Sequence, residues 1–187
     1  RFERGGTQSE VNCQQVLMAV GRAPSLAVID PEKLGLKTER GAIVTDKTLK
    51  TSVPGIYAIG DVNGKAMLAH TASAEAIVAV ETICGEKAEM DYDKIPSAIY
   101  IQPEIASIGL TEEQAKAKYG EVKVGRFPMM ANGKAKVEGE ERGMIKVITE
   151  AKYGEIVGVH LYCIHATDMI AEASAAMKLE STAEELA

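Results

Sequence analysis

Short apolar runs punctuated by turns occupy the first third of the chain, one long helical pattern follows, and period-two alternation dominates the remainder. Val16–Val20 (VLMAV) is an apolar run broken by Gly21 and stopped ahead of Pro24, the pattern of a buried strand. Residues 30–55 are turn-rich, with Asp30-Pro31, Gly35, Arg40-Gly41 and Val53-Pro54-Gly55. A second buried strand is expected over Ile56–Ile59, running into a Gly60-Asp61 turn. From about Ala66 to Cys84 the pattern predicts a helix ended by Gly85. It is apolar on nearly all sides and rich in alanine, which implies close packing inside a larger body.

The character changes at DYDKIP, residues 91–96. Strands are expected at SAIYI, EIASIGL, EVKVGRFPM, GMIKVITE and EIVGVHLY, with a helix over about Glu112–Lys118. Turn signals at Asn132-Gly133, Glu138–Gly143 and Tyr153-Gly154 separate several of them, as an antiparallel sheet requires. A further helix spans about Thr167–Leu179, placing Met169, Ile170, Ala173, Ala176 and Met177 on one face. Ser181 and Glu184 have capping-box spacing, which announces a helix about one turn before the chain stops at Ala187. The chain opens on a lone strand without sheet partners. Both ends therefore read as cut, and residues 1–95 are expected to be weakly ordered or strained.

Composition narrows the function. The chain has 187 residues, 46% hydrophobic, so it can bury a sizeable core. A net charge of −6, with both signs interspersed, excludes the basic stripe a nucleic-acid surface needs. No apolar run approaches a membrane span and no signal peptide opens the sequence. Cys13, Cys84 and Cys163 form neither a CxxC nor a metal-ligand spacing. Three buried free thiols in a reducing, cytoplasmic compartment, with no metal, are expected.

The chemistry concentrates in YAIGDVNGKAMLAH, residues 57–70. Gly60, Gly64 and Lys65 fall one residue short of a phosphate-binding P-loop, and Ala66 stands where that loop needs a hydroxyl for its metal. No GxGxxG occurs. What is left is a strand ending in Gly-Asp, a loop and a helix start. Glycine admits a ligand close to the backbone. An aspartate at a strand end accepts hydrogen bonds from polyol hydroxyls, and the following helix presents free amides to a developing anion. An Asp61 that merely caps the next turn explains the spacing equally well.

TSVPGIYAIGDVNGKAMLAH resembles the second flavin motif of the pyridine nucleotide-disulfide oxidoreductases, and MLAH is similar to the dihydrolipoamide dehydrogenases within that family. VLMAVGRAP resembles the end of the family's NAD domain, and IPSAIYIQPEIASIGLTEEQAK the start of its interface domain. RFPMMANGKAKVEGEERGMIKVITE and IVGVHLYCIHATDMIAEA continue that domain in order. The resemblance implies an α+β fold with a C-terminal interface (dimerisation) domain of antiparallel sheet and helices, preceded by part of an FAD/NAD-binding α/β region. Residues 1–25 would end the NAD-binding domain and 26–95 would return to the FAD-binding domain. Residues 96–187 would form the dimerisation domain, truncated at its C-terminus.

By position, Asp61 would bind the ribityl or pyrophosphate region of FAD. Met67, Leu68, Ala69 and His70 would line the isoalloxazine, mostly through backbone, and Gly21 would lie against NAD. The implied function is dihydrolipoyl dehydrogenase: dihydrolipoyl groups oxidised by NAD through FAD and a redox disulfide, in a homodimer associated with a 2-oxoacid dehydrogenase complex. The resemblance places the family's FAD and NAD fingerprints and CxxxxC disulfide upstream of Arg1, and its catalytic His and Glu beyond STAEELA. The chain by itself is thus expected to hold no catalytic residue, to be inactive, and to serve dimerisation with neither cofactor necessarily retained. His70 belongs to the flavin motif; His160 and His165 are expected to be structural. The alternatives are another family member, such as a glutathione or mercury reductase, and a stand-alone dimerisation module.

Overall fold

The computed structural model describes residues 1–187. Its first part contains two antiparallel hairpins, β1 (Phe2–Arg4) with β2 (Thr7–Ser9), and β3 (Thr38–Glu39) with β4 (Ala42–Ile43). Both turn through two left-handed residues, Gly5-Gly6 and Arg40-Gly41, the geometry whose twist matches that of paired strands. The strand expected over Val16–Val20 does not form. Leu17 is 89% and Val20 87% exposed, because no neighbouring strand in the chain pairs with the run. The strand expected over Ile56–Ile59 is also absent as a ladder. It is an extended segment with one bridge, Lys50 to Tyr57, and its Ala58 packs with Leu36 and Ile43.

Helix α1 (Ala69–Ile83) starts three residues later than the pattern predicts, after the extended Leu68. Its inner side buries Thr71, Glu75 and Ala79, with Ala79 packed against Leu49 and Met90. The expectation of burial all round fails on the opposite side. Ile77, Val80 and Ile83 are 57–61% exposed, since nothing in the chain lies over them.

After Pro96 the period-two alternation produces the sheet it predicts. Strands β5 (Ser97–Ile99), β6 (Glu104–Gly109), β7 (Val122–Pro128), β8 (Met144–Glu150) and β9 (Ile156–Cys163) form one antiparallel sheet of order β5-β6-β9-β8-β7. Helix α2 (Glu112–Tyr119) starts with a capping box between Thr111 and Gln114 and buries Ala115 against Ile148 and Val157 on one face. Helix α4 (Ala166–Lys178) covers the other face. Its Ile170, Ala173, Ala176 and Met177 meet Ala106 and Ile108 of β6 and Val159, Leu161 and Cys163 of β9. Val157 serves the α2 face despite sharing parity with Val159. The β8–β9 register shifts there, with Ile148 opposite Gly158 but Thr149 opposite Ile156, so Val157 is the extra residue of a bulge.

Two local expectations change. Residues between the turn signals at Asn132 and Gly139 form a short helix, α3 (Gly133–Glu138), because the Asn132 side chain accepts from the Ala135 amide and Ala135 is buried. The final capping box sits one residue later than Ser181–Glu184. Thr182 caps α5 (Ala183–Leu186) with Glu185. The backbone of Ser181 is already engaged, its amide by Ala176 and its carbonyl by the amide of Ile156. The cysteines also differ from expectation. All three are free and Cys163 is buried, but Cys13 and Cys84 are exposed because the segments carrying them lie at the surface.

Candidate functional site

The Gly60-Asp61 turn is built from the residues that flank it. Gly60 is buried with φ +74, and a Cβ there would lie 3.3 Å from that of Ala72. Left-handed backbone and close helix approach together ask for glycine. A single 3-10 turn, Gly60–Asn63, closes with Gly64 (φ 66) donating to the Asp61 carbonyl. A Cβ on Gly64 would sit 2.7 Å from that of Ala42, so β4 presses on the loop.

A fully buried carboxylate holds the turn. Glu75, two turns inside α1, accepts from the Gly60 amide at 2.5 Å, from the Asn63 side-chain nitrogen at 2.9 Å and from the Tyr92 hydroxyl at 2.6 Å. Asn63 in turn accepts from the Lys65 amide at 3.0 Å. The Lys65 ammonium reaches the Asp46 carbonyl at 2.9 Å and lies 5.2 Å from the Tyr92 ring centre. Burial, then the hydrogen bond to Glu75 and its charge, push the Tyr92 phenol well above its ordinary value. Burial pulls the Lys65 ammonium down, against the charges of Glu75 and Asp46.

Of the residues the sequence singles out, Asp61 is partly exposed and paired with Arg22, whose guanidinium lies 2.5 Å from its carboxylate. Met67 and Leu68 are half-buried, and Ala69 and His70 are exposed at the start of α1. The amides of Ala69, His70 and Thr71 donate to no protein acceptor, as expected of a first helical turn. The Thr71 hydroxyl beside them is buried and unpartnered. His70 uses its imidazole elsewhere, Nε2 lying 2.7 Å from the Pro96 carbonyl oxygen. Gly21 has nothing within 4 Å of its Cβ position, although its neighbour Arg22 reaches Asp61 and Pro24 lies near Gly64.

His160 lies in β9 with its ring 3.0 Å from the Leu110 carbonyl oxygen, and His165 precedes α4, 3.0 Å from Glu138. Glu75 and Tyr92 do not figure in the motif reading. The available signal was Glu75 itself, the one acidic residue in the alanine-rich stretch Ala69–Val80. A carboxylate on a buried helix face requires donors.

The profile described as "Pyridine nucleotide-disulphide oxidoreductase, dimerisation domain" matches residues 95–187, and that described as "Pyridine nucleotide-disulphide oxidoreductase" matches residues 3–76. The chain belongs to the pyridine nucleotide-disulphide oxidoreductase family. Dihydrolipoyl dehydrogenase 3 of Pseudomonas aeruginosa is 43% identical over 183 residues, 98% of this chain and 39% of its own. The dihydrolipoyl dehydrogenase of Rhizobium etli is 44% identical over 183 residues, 97% of this chain and 38% of its own. The mitochondrial dihydrolipoyl dehydrogenase of Pisum sativum is 39% identical over 184 residues, 98% and 37% respectively.

Among solved structures, the HOCl-induced flavoprotein disulfide reductase RclA from Escherichia coli superposes with TM-score 0.76 at 30% identity, over 88% of this chain and 38% of that one. LpdA from Mycobacterium tuberculosis shares the fold, with TM-score 0.81 at 23% identity over 89% and 37%. The chain therefore spans somewhat over a third of the length of these family members. Its sheet and helices after residue 95 coincide with the family's dimerisation domain. No helix is long and apolar enough to cross a membrane.

Proposed function

We propose that this chain is the part of a dihydrolipoyl dehydrogenase that completes its flavin site and forms its dimer interface. The observation that carries the proposal is the free first turn of α1, where the amides of Ala69, His70 and Thr71 have no protein acceptor, preceded in the chain by the turn that bears Asp61. FAD fits this donor set. Asp61, with Arg22 beside it, would hold the ribityl or pyrophosphate region, and Met67, Leu68, Ala69 and His70 would line the ring system. FAD supplies two-electron exchange between a dithiol and a nicotinamide. The chain's own contribution is electrostatic: the first-turn amides and the positive end of α1 favour negative charge placed before them. Gly21 would face NAD, since its freedom from contacts leaves room for a ligand to approach.

On this proposal residues 1–25 belong to an NAD-binding domain, 26–95 to an FAD-binding domain and 96–187 to the dimerisation domain. The protein acts as a cytoplasmic homodimer that serves a 2-oxoacid dehydrogenase complex. The relatives' names and the 39–44% identities support the lipoyl substrate over glutathione disulfide or mercuric ion. Dimerisation, not catalysis, is the part of the activity these 187 residues would carry alone.

The test is to purify the native protein, record its visible spectrum and sedimentation, and assay NAD reduction with dihydrolipoamide. Flavin bands, a dimer and turnover are expected. Absence of flavin, or turnover with glutathione disulfide or mercuric ion alone, would overturn the proposal.

A further inference from the structure

We propose that Glu75 is the positioning residue of the Gly60–Asn63 turn, and that Tyr92 ties that positioning to the turn entering the sheet domain. The proposal rests on the flavin assignment of the loop for its consequence, and on geometry alone for its existence. Three donors from two separated stretches converge on this carboxylate, and its side chain has no exposure to water. Two of them, the Gly60 amide and the Asn63 side chain, belong to the 3-10 turn that carries Asp61. The third is the hydroxyl of Tyr92, in the 3-10 turn Tyr92–Lys94 immediately before β5.

A caping role for α1 itself is ruled out by position, because Glu75 lies in the helix interior and reaches outward to neighbouring turns. Gly60 is held left-handed and buried, so its amide has no access to water if the carboxylate turns away. A buried carboxyl group is costly without hydrogen-bond partners, so the three donors and the side chain hold one another in a single arrangement. Asp61 follows Gly60 directly, so the backbone that carries its carboxylate is held through Glu75. Tyr92 gives the network its reach. Its ring also packs with Leu49, Ala79 and Met90, the cluster that seats α1. A movement of the 91–95 turn is therefore transmitted to the loop through one hydroxyl.

Amide hydrogen exchange measured by NMR on the full chain decides the matter, comparing wild type with Tyr92→Phe, Glu75→Gln and Ala79→Gly. Tyr92→Phe removes only the hydroxyl, and Ala79→Gly loosens α1 and its packing against the Tyr92 ring while keeping every donor and acceptor of the network. The expected result is that Gly60 exchanges about tenfold faster in Tyr92→Phe, and faster still in Glu75→Gln, while interior α1 amides change by less than about threefold. Ala79→Gly should instead accelerate α1 amides and Gly60 together. Unchanged Gly60 exchange in both network variants, or acceleration only in step with α1, overturns the proposal. Retention of FAD by the native protein, read from its visible spectrum, tests the flavin assignment separately. Loss of that assignment with the Gly60 result intact would leave Glu75 as a positioning residue of a turn with another ligand.

Discussion

A close backbone approach at β9 makes a sharp test, because two of the sheet's glycines invite the same substitution with opposite results. At Gly158 in β9 an added Cβ would sit 2.1 Å from the Leu110 carbonyl oxygen and 3.2 Å from its carbonyl carbon and amide nitrogen. At Gly125 in β7 nothing lies within 4 Å, and neither glycine has a left-handed φ. A comfortable carbon–oxygen contact needs about 3.3 Å, so Gly158→Ala must open the gap by roughly 1.2 Å. Leu110 donates to the Val157 carbonyl at 2.8 Å, and that bond cannot survive such a shift.

The lost bond costs about 1 kcal/mol and the overpacking about 1–3 kcal/mol, offset by about 0.4–1 kcal/mol from the stiffer unfolded chain. The net is about 1–3.5 kcal/mol of destabilisation, while Gly125→Ala should be neutral or stabilising by up to about 1 kcal/mol. With a urea slope of about 2 kcal/mol/M, the two midpoints should differ by more than about 0.5 M when the sheet is followed by far-ultraviolet circular dichroism. Midpoints within about 0.3 M of each other would refute the steric account.

Other outcomes can be checked on the same preparations. Ile170→Ala in α4 should destabilise the sheet domain by about 2–5 kcal/mol in urea, since the side chain is 4% exposed in the largest core cluster. A thiol reagent should modify Cys13 and Cys84 in the folded chain and spare Cys163, whose thiol burial pushes up; rapid labelling of all three would contradict the packing beneath α4. Burial raises the Glu150 carboxyl, but the amides of Tyr153, Lys152, Glu155 and Gly154 outweigh it and hold the group below its ordinary value. Its contribution is thus complete above the unfolded glutamate range of about 4.3 and lost as pH falls through the lower folded value. Glu150→Gln should flatten the acid limb of a stability-against-pH curve, and an unchanged limb would count against the turn geometry.

The sheet was legible in the sequence because its strands find all their partners within residues 97–163. Each local alternation therefore agrees with its surroundings. The bulge at Val157 was not legible, since parity alone assigns Val157 to the side of Val159, and only the register with β8 reverses it. The strand expected at Val16–Val20 failed for the complementary reason: an apolar run specifies a strand only where another backbone completes its hydrogen bonds. At the candidate site the motif singled out Asp61 and the start of α1, but not the carboxylate that bonds the Gly60–Asn63 turn.

Sequence by itself determined the α+β character, the sheet strands, both long helices to within about three residues and the Gly60-Asp61 loop that precedes α1. These are local quantities, written in periodicity, caps and turn residues. Tertiary structure alone decided that Glu75 joins Gly60 to Tyr92, residues 32 apart, and that Arg22 meets Asp61 across 39 positions. It also decided which apolar faces are covered and which, like Ile77 to Ile83, are bare. Such contacts depend on where distant elements come to lie, and a fixed set of side chains can satisfy one buried carboxylate only once the chain has brought its donors together.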